Sequence, residues 1–199
     1  LEIIAKKDKL KNINFNRYQI KMSTVKRILS ELKDLQENPI LNISSTVGLP
    51  NQNNIYEWKC TISGPGDTPF AGGLFFLKII FPKNYPYSKP EVCFLTPIYH
   101  INVNPKANLS EPLGHVCIST LNWWNPQCTI RQVLTDIFAL FWLSNPDSPY
   151  GLERAQEMNN NINLYNAKCK YYTRKYAAMD KPEPQYSNAD WNFSDQVTC

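Results

Sequence analysis

The spacing of apolar and polar positions changes along the chain, and each change predicts an element. Val25, Ile28, Leu29, Leu32 and Leu35 recur at the helical period, so the first element is an amphipathic helix. Ser23 or Thr24 stands where its N-cap is expected, and Asn38-Pro39 stops it. The period then becomes two. Tyr56, Trp58, Cys60 and Ile62 alternate with Glu57, Lys59 and Thr61, which predicts a strand with one buried face, ended by Gly64-Pro65-Gly66. Leu74–Phe81 is apolar on nearly both faces and predicts a central strand closed by Pro82. Glu91–Leu95 predicts a third strand, and Leu41–Val47 an additional edge strand before the others. Connections this short favour an antiparallel meander.

From Thr96 to Pro126 neither period holds. The stretch is rich in Asn, Pro and Gly and is longer than the loops of compact domains, the mark of a functional loop. Thr129 and Gln132 then form a capping-box pattern ahead of Ile130, Val133, Leu134, Ile137, Phe138, Phe141 and Trp142, the best-patterned helix of the chain. Asn145-Pro146-Asp147-Ser148-Pro149 breaks it. A short helix over Leu152–Met158 follows, then one striped by Tyr165, Cys169, Tyr172 and Tyr176. Helix, antiparallel strands, long loop and further helices make an α+β domain with its helices on or beside the sheet.

Composition narrows this picture. A chain of 199 residues with 43% hydrophobic and 13% aromatic content suffices for one globular domain with arms and excludes disorder throughout. The longest unbroken apolar run, Ile137–Leu143, is far short of the roughly 20 residues of a membrane-crossing helix, so no membrane is expected as a partner. The first residues carry charges where a secretory signal has an apolar block. Net charge is +4, with the basic residues crowded at the amino end. The chain therefore divides into a basic arm over residues 1–22, a core domain over 23–181 and an acidic tail over 182–199, an appendage docked through Trp191 and Phe193. The arm reads as solvated rather than as a nucleic-acid patch, because no aromatic stacking motif accompanies it.

The 6 cysteines stand singly, with no Cys-x-x-Cys, which argues against a zinc site and for a reducing cytoplasm or nucleus. Cys117 alone lies in the long irregular loop, where a thiolate is a candidate nucleophile. His115, two residues earlier, projects to the same side of an extended segment, and an imidazolium there would lower the thiol pKa. A cysteine protease would need such a base together with an orienting partner, and nothing else in the pattern supplies one.

Five motifs follow one another in order: Gly64-Pro65-Gly66-Asp67-Thr68-Pro69-Phe70 with Gly72-Gly73; Phe81-Pro82-Lys83-Asn84-Tyr85-Pro86; Tyr99-His100-Ile101-Asn102; Gly114-His115-Val116-Cys117-Ile118; and Trp124-Asn125-Pro126. Together they resemble ubiquitin-conjugating enzymes, from about Val25 to Tyr176. The resemblance implies the UBC-like α+β fold: an N-terminal helix, a four-stranded antiparallel meander, a long active-site loop and C-terminal helices. It implies an acyltransferase that accepts ubiquitin from the activating enzyme as a thioester on Cys117 and passes it to a substrate lysine or a ligase. Asn102 matches the family's asparagine, either as an oxyanion donor or as a brace of the loop around the cysteine. Asp147 and Ser148 fall where relatives often have two acids that orient and desolvate the lysine. Ser148 occupies the orienting position and Asp147 is its substitute; simple turn formation beside Pro149 is the other reading.

Two features depart from the family pattern. Ile101 replaces the proline of the usual His-Pro-Asn, and the interval from Asn102 to Cys117 is longer than common, with the surplus around Pro105–Pro112 expected to bulge outward. By position, Lys26, Arg27 and Lys33 look like the activating-enzyme contact. Tyr87 and Pro126 look like the ligase-docking loops. Ser44 matches the position at which some relatives bind a second ubiquitin on the back side. The implied partners are ubiquitin or a ubiquitin-like modifier, the activating enzyme, a ligase and protein substrates. No metal or cofactor is implied, because ATP is consumed upstream by the activating enzyme. The alternatives are a conjugating enzyme for another ubiquitin-like modifier and a noncatalytic ubiquitin-binding variant of the fold.

Overall fold

The computed structural model describes residues 2–40, 43, 54–106, 112–179, 188–194 and 197, with side chains from residue 19 onward. In chain order the elements are α1 (Glu2–Glu37), β1 (Glu57–Ser63), β2 (Leu74–Ile80), β3 (Glu91–Phe94), α2 (Ser119–Asn122), α3 (Ile130–Ala139), α4 (Leu152–Asn160) and α5 (Ile162–Tyr176), followed by a 3-10 turn at Asn188–Trp191.

Helix α1 departs from the expected start at Ser23 or Thr24. It runs unbroken from Glu2, and both hydroxyls lie inside it: Ser23 Oγ donates to Ile20 O (2.9 Å) and Thr24 Oγ1 to Tyr85 O (2.7 Å). No proline or glycine precedes them to interrupt the helix, and each hydroxyl donates to a backbone carbonyl. The boundary drawn between arm and core thus falls within one continuous helix.

Strands β1, β2 and β3 pair antiparallel in sequence order, in a register that sets Cys60 opposite Leu77 and Leu77 opposite Phe94. Trp58, Cys60 and Ile62 on β1 are buried, as the alternation predicts. Strand β2 is central but not buried on both faces: Phe75, Leu77 and Ile79 point inward while Leu74, Phe76, Lys78 and Ile80 remain half-exposed. Three strands are present among the described residues; the expected edge strand at Leu41–Val47, Ser44 included, lies outside them except for the buried Ile43.

The inward faces of the sheet, α1, α3 and α5 meet in one cluster that includes Ile28, Leu32, Leu35, Val133, Ile137, Tyr165 and Cys169. Each such burial contributes about 1.5–3 kcal/mol. The capping box of α3 is present: Gln132 N donates to Thr129 Oγ1 (3.2 Å) and Thr129 N to Gln132 Oε1 (2.9 Å).

The described parts of the long loop are hydrogen-bonded to one another beside the site. Val103 bridges Val116 and Cys93 bridges His115, while Asn104 N donates to His115 O and Gly114 N to Asn104 O, each at 2.9 Å. Asn104 Nδ2 also donates to Pro112 O (3.1 Å), so the two ends of the expected insertion are tied together at its base. The carboxyl tail docks as the sequence suggests. Trp191 is only 5% exposed, and Phe193 packs edge-on against Tyr99 and Tyr172.

Candidate active site

Cys117 ends the extended segment that pairs with residues 102–104, its own amide donating to Asn102 O (2.9 Å). Helix α2 begins two residues later, and the thiol is left half-exposed between two elements. Sγ lies 3.2 Å from Ser148 Oγ and accepts from Asn122 Nδ2 at 3.4 Å. Cys60, Cys93 and Cys169 are buried instead, and burial pushes the first two thiols up to about 12 and raises the third as well.

The wall opposite Cys117 is the 145–150 loop, and Asn102 holds it. Fully buried, Asn102 donates through Nδ2 to Asn145 O (2.7 Å) and Ser148 O (3.1 Å), and its Oδ1 accepts from Asn145 N (2.8 Å). Both amide hydrogens are committed, so the side chain is a brace in this geometry; an oxyanion role would require it to release one of these bonds.

The neighbours of Asn102 explain how the loop manages without the usual proline. The amide of Ile101, which proline would lack, donates to Tyr165 Oη (3.2 Å), and Ile101 O accepts from Tyr150 N (2.7 Å). His100 is buried and its pKa is pushed down to about 4 by that burial. The neutral ring accepts from Asn102 N at Nδ1 (3.0 Å), which leaves the proton on Nε2 to donate to Leu140 O (3.0 Å).

Asp147 and Ser148 differ in their setting. Asp147 is exposed, and its amide donates to Asn145 Oδ1 (3.0 Å), an Asx turn. Ser148 faces Cys117. His115 Nδ1 hydrogen-bonds the Tyr150 hydroxyl at 2.5 Å, so the imidazole expected to serve the thiol is engaged by a tyrosine across the cleft.

Of the three cations assigned to one surface, Lys26 and Lys33 are exposed, Lys33 lying 3.6 Å from Glu37. Arg27 differs. Its Nε donates to Glu31 (2.5 Å), and Nη1 and Nη2 donate to Pro126 O (3.0 Å) and Cys128 O (2.7 Å). Glu31 in turn accepts from Tyr85 Oη (2.5 Å) and from Ile130 N at the start of α3 (2.6 Å). Arg27 is therefore a cross-brace between α1 and the 126–128 loop. Tyr87, 70% exposed, and Pro126, also exposed, lie on loops that Trp124 joins by donating from Nε1 to Pro86 O (2.7 Å).

The family model of ubiquitin-conjugating enzymes matches residues 27–173. The chain belongs to the ubiquitin-conjugating enzyme family. A crystal structure from Plasmodium yoelii whose description names a ubiquitin conjugating enzyme is similar to it, with a TM-score of 0.66 and 33% identity, covering 78% of this chain and 96% of that one. In this conjugating-enzyme family member the matched span holds Cys117, Asn102 and the 145–150 loop, and leaves Lys26, the amino half of α1 and the docked tail outside. Tyr150, Tyr165 and Asn122 touch the site without belonging to any motif read from the sequence. Only the two-residue spacing of Tyr150 from Ser148 hinted at one of them.

Proposed function

We propose that this ubiquitin-conjugating enzyme carries ubiquitin as a thioester on Cys117 and transfers it to a substrate lysine or to a ligase thiol. The observation that carries this reading is the setting of the sulfur: half-exposed, in an irregular segment, between the Ser148 hydroxyl and the Asn122 amide. In charging, Sγ forms a bond to the thioester carbonyl carbon held by the activating enzyme. The enzyme's own C–S bond breaks, and its sulfur leaves with the proton that Cys117 gives up. In discharge, a neutral lysine nitrogen bonds to that carbon, Cys117 Sγ departs, and the amine's surplus proton replaces the lost bond. Asn122 Nδ2 and Ser148 Oγ–H are placed to donate to the sulfur while it is negative, in either direction of the exchange.

In this reading Ser148 and Asp147 meet the incoming amine, one from beside the sulfur and one from the exposed turn, while Asn102 keeps their loop in place. Lys26 and Lys33 steer the activating enzyme, and Tyr87 and Pro126 meet the ligase. ATP acts only at the activating enzyme, and no cofactor takes part here. The described cysteines are free thiols, which supports a reducing cytoplasm or nucleus as the place of action.

The test is a charging assay with activating enzyme, ATP and ubiquitin. Wild type should give an adduct that reducing agent removes, Cys117→Ala none, and Cys93→Ala and Cys128→Ala a normal one; Cys117→Ser should trap an oxyester. A normal adduct on Cys117→Ala would sink the assignment. Charging only by another ubiquitin-like modifier would keep the chemistry and change the cargo.

A further inference from the structure

Two side-chain contacts cross the cleft beside the sulfur, and their numbering forms a ladder. His115 meets Tyr150 at 2.5 Å, and Cys117 meets Ser148 at 3.2 Å. Each segment advances two residues between rungs, in opposite directions, so the extended segment 115–117 faces the bent segment 148–150 with its alternate side chains touching. Both segments are held at the backbone by residues 101 and 102. Cys117 N donates to Asn102 O, Tyr150 N to Ile101 O (2.7 Å), and Asn102 Nδ2 to Ser148 O (3.1 Å). These bonds fix where each segment begins. They are backbone and Asn102 contacts, whereas Ser148 Oγ and the sulfur meet through side chains, as do Tyr150 and His115.

We propose that Tyr150 and His115 form a positioning pair that sets the separation of Ser148 from Cys117, and so the approach of the acceptor amine to the thioester. The proposal rests on the thioester reading above and adds to it a pair that no motif assigns. The hydroxyl-to-imidazole bond closes the far rung of the ladder. The Tyr150 ring lines a cleft of about 660 Å³ whose other walls include Arg154, Trp191 and Phe193, and the bond to His115 sets where along that cleft its hydroxyl stands. Movement of Tyr150 carries Ser148, two residues away, out of register with the sulfur. Displacements of about 1 Å in such groups are costly to reaction rates, since attack requires a nitrogen held close to the carbonyl carbon and along its axis.

Three variants separate positioning from bulk stability. Tyr150→Phe removes only the hydroxyl. His115→Leu removes the ring nitrogens, while His115→Asn returns a polar atom to the position of Nδ1, able to accept or donate. Each protein is charged in a single round, separated from activating enzyme, and discharged to free lysine over a concentration series. Tyr150→Phe and His115→Leu should each raise the half-saturating lysine concentration about fivefold while the rate at saturating lysine falls less than about twofold. His115→Asn should restore most of the loss. The double variant Tyr150→Phe with His115→Leu should be no worse than either single, because both remove one interaction. Wild-type lysine dependence in Tyr150→Phe overturns the pair, as does a defect in His115→Asn equal to that in His115→Leu. A wild-type protein that never charges overturns the thioester reading and the pair with it, whereas normal charging with unaltered lysine dependence in the variants overturns the pair alone.

Discussion

At the scale of single residues, the most informative side chain is Asn102, because its two readings predict different damage. Its amide bonds twice to carbonyls and once to an N–H of the 145–148 loop, so Asn102→Ala should cost about 2–4 kcal/mol and increase protease sensitivity between residues 102 and 117. Charging and discharge should fall together. Normal charging and unchanged melting, with slow discharge alone, would instead assign it to the oxyanion. His100 gives a pH signature. Its folded pKa, about 4, lies below the ordinary value of 6.5, so the unfolded chain takes up a proton that the folded one refuses. The contribution is absent above pH 6.5 and destabilises the fold as pH falls from there toward 4, by up to about 1.4 kcal/mol per pH unit. The difference in pH slope between wild type and His100→Asn isolates it from the carboxylates, and parallel slopes would refute it. That Cys117, Asn102 and Ser148 lie together was legible because the first two occupy motif positions and Ser148 falls where relatives often have an acid. Tyr165 and Tyr150 were not, because the amide that Ile101 regains and the hydroxyl that meets His115 find their partners only once α5 and the 145–150 loop fold against residues 100–117.

At the scale of elements, α1 shows how a correct pattern misplaces a boundary. The apolar stripe Ile28, Leu32 and Leu35 is buried as the period requires, yet a hydroxyl near the start of a stripe is not a cap when helix formers precede it. The same helix carries cations of two kinds, which the sequence lists side by side. Lys26 is exposed, whereas Arg27 reaches carbonyls about a hundred positions away in the chain, a distance at which no periodicity speaks. Lys26→Glu with Lys33→Glu should slow charging by the activating enzyme most at low salt and leave melting unchanged, since steering between exposed charges is screened beyond about 8–10 Å. Arg27→Glu should behave otherwise. It sets a carboxylate against Glu31 and against two carbonyl oxygens, and should lower stability by about 2 kcal/mol or more at any salt concentration. If Arg27→Glu melts like wild type and shows the salt dependence of the lysine variants, the guanidinium belongs to the steering surface and not to the brace. The α3 capping box and the β1 alternation were readable because both are local. The central place expected of β2 is found, yet its second face stays half-exposed, because what covers that face is a tertiary matter.

At the scale of the whole molecule, the tail outside the matched family span is joined to the segment that carries Cys117. Gly114, three residues before the cysteine, has a φ of +76°, and a Cβ there would meet Phe94 O at 2.1 Å and the Trp191 ring at 3.0 Å. Trp191 therefore lies over the turn from which residues 115–117 run between β3 and residues 102–104, and the Gly114 carbonyl accepts from Phe94 N (2.8 Å). Ring and turn cover each other. Removing the ring by Trp191→Ala should cost about 3 kcal/mol as a buried aromatic lost, and the loss should be local as well as global. The amides of Gly114, Val116 and Cys117, which bond to Asn104, Val92 and Asn102, should exchange with deuterium sooner than those of β1, which lies away from the tail. Charging should slow in the same proportion as these amides loosen, because the sulfur is positioned through that segment. Gly114→Ala should reproduce the effect from the other side of the contact. A tail variant that melts earlier while the exchange of residues 114–117 stays level with that of β1 would show the tail to be a general staple, with no particular hold on the site.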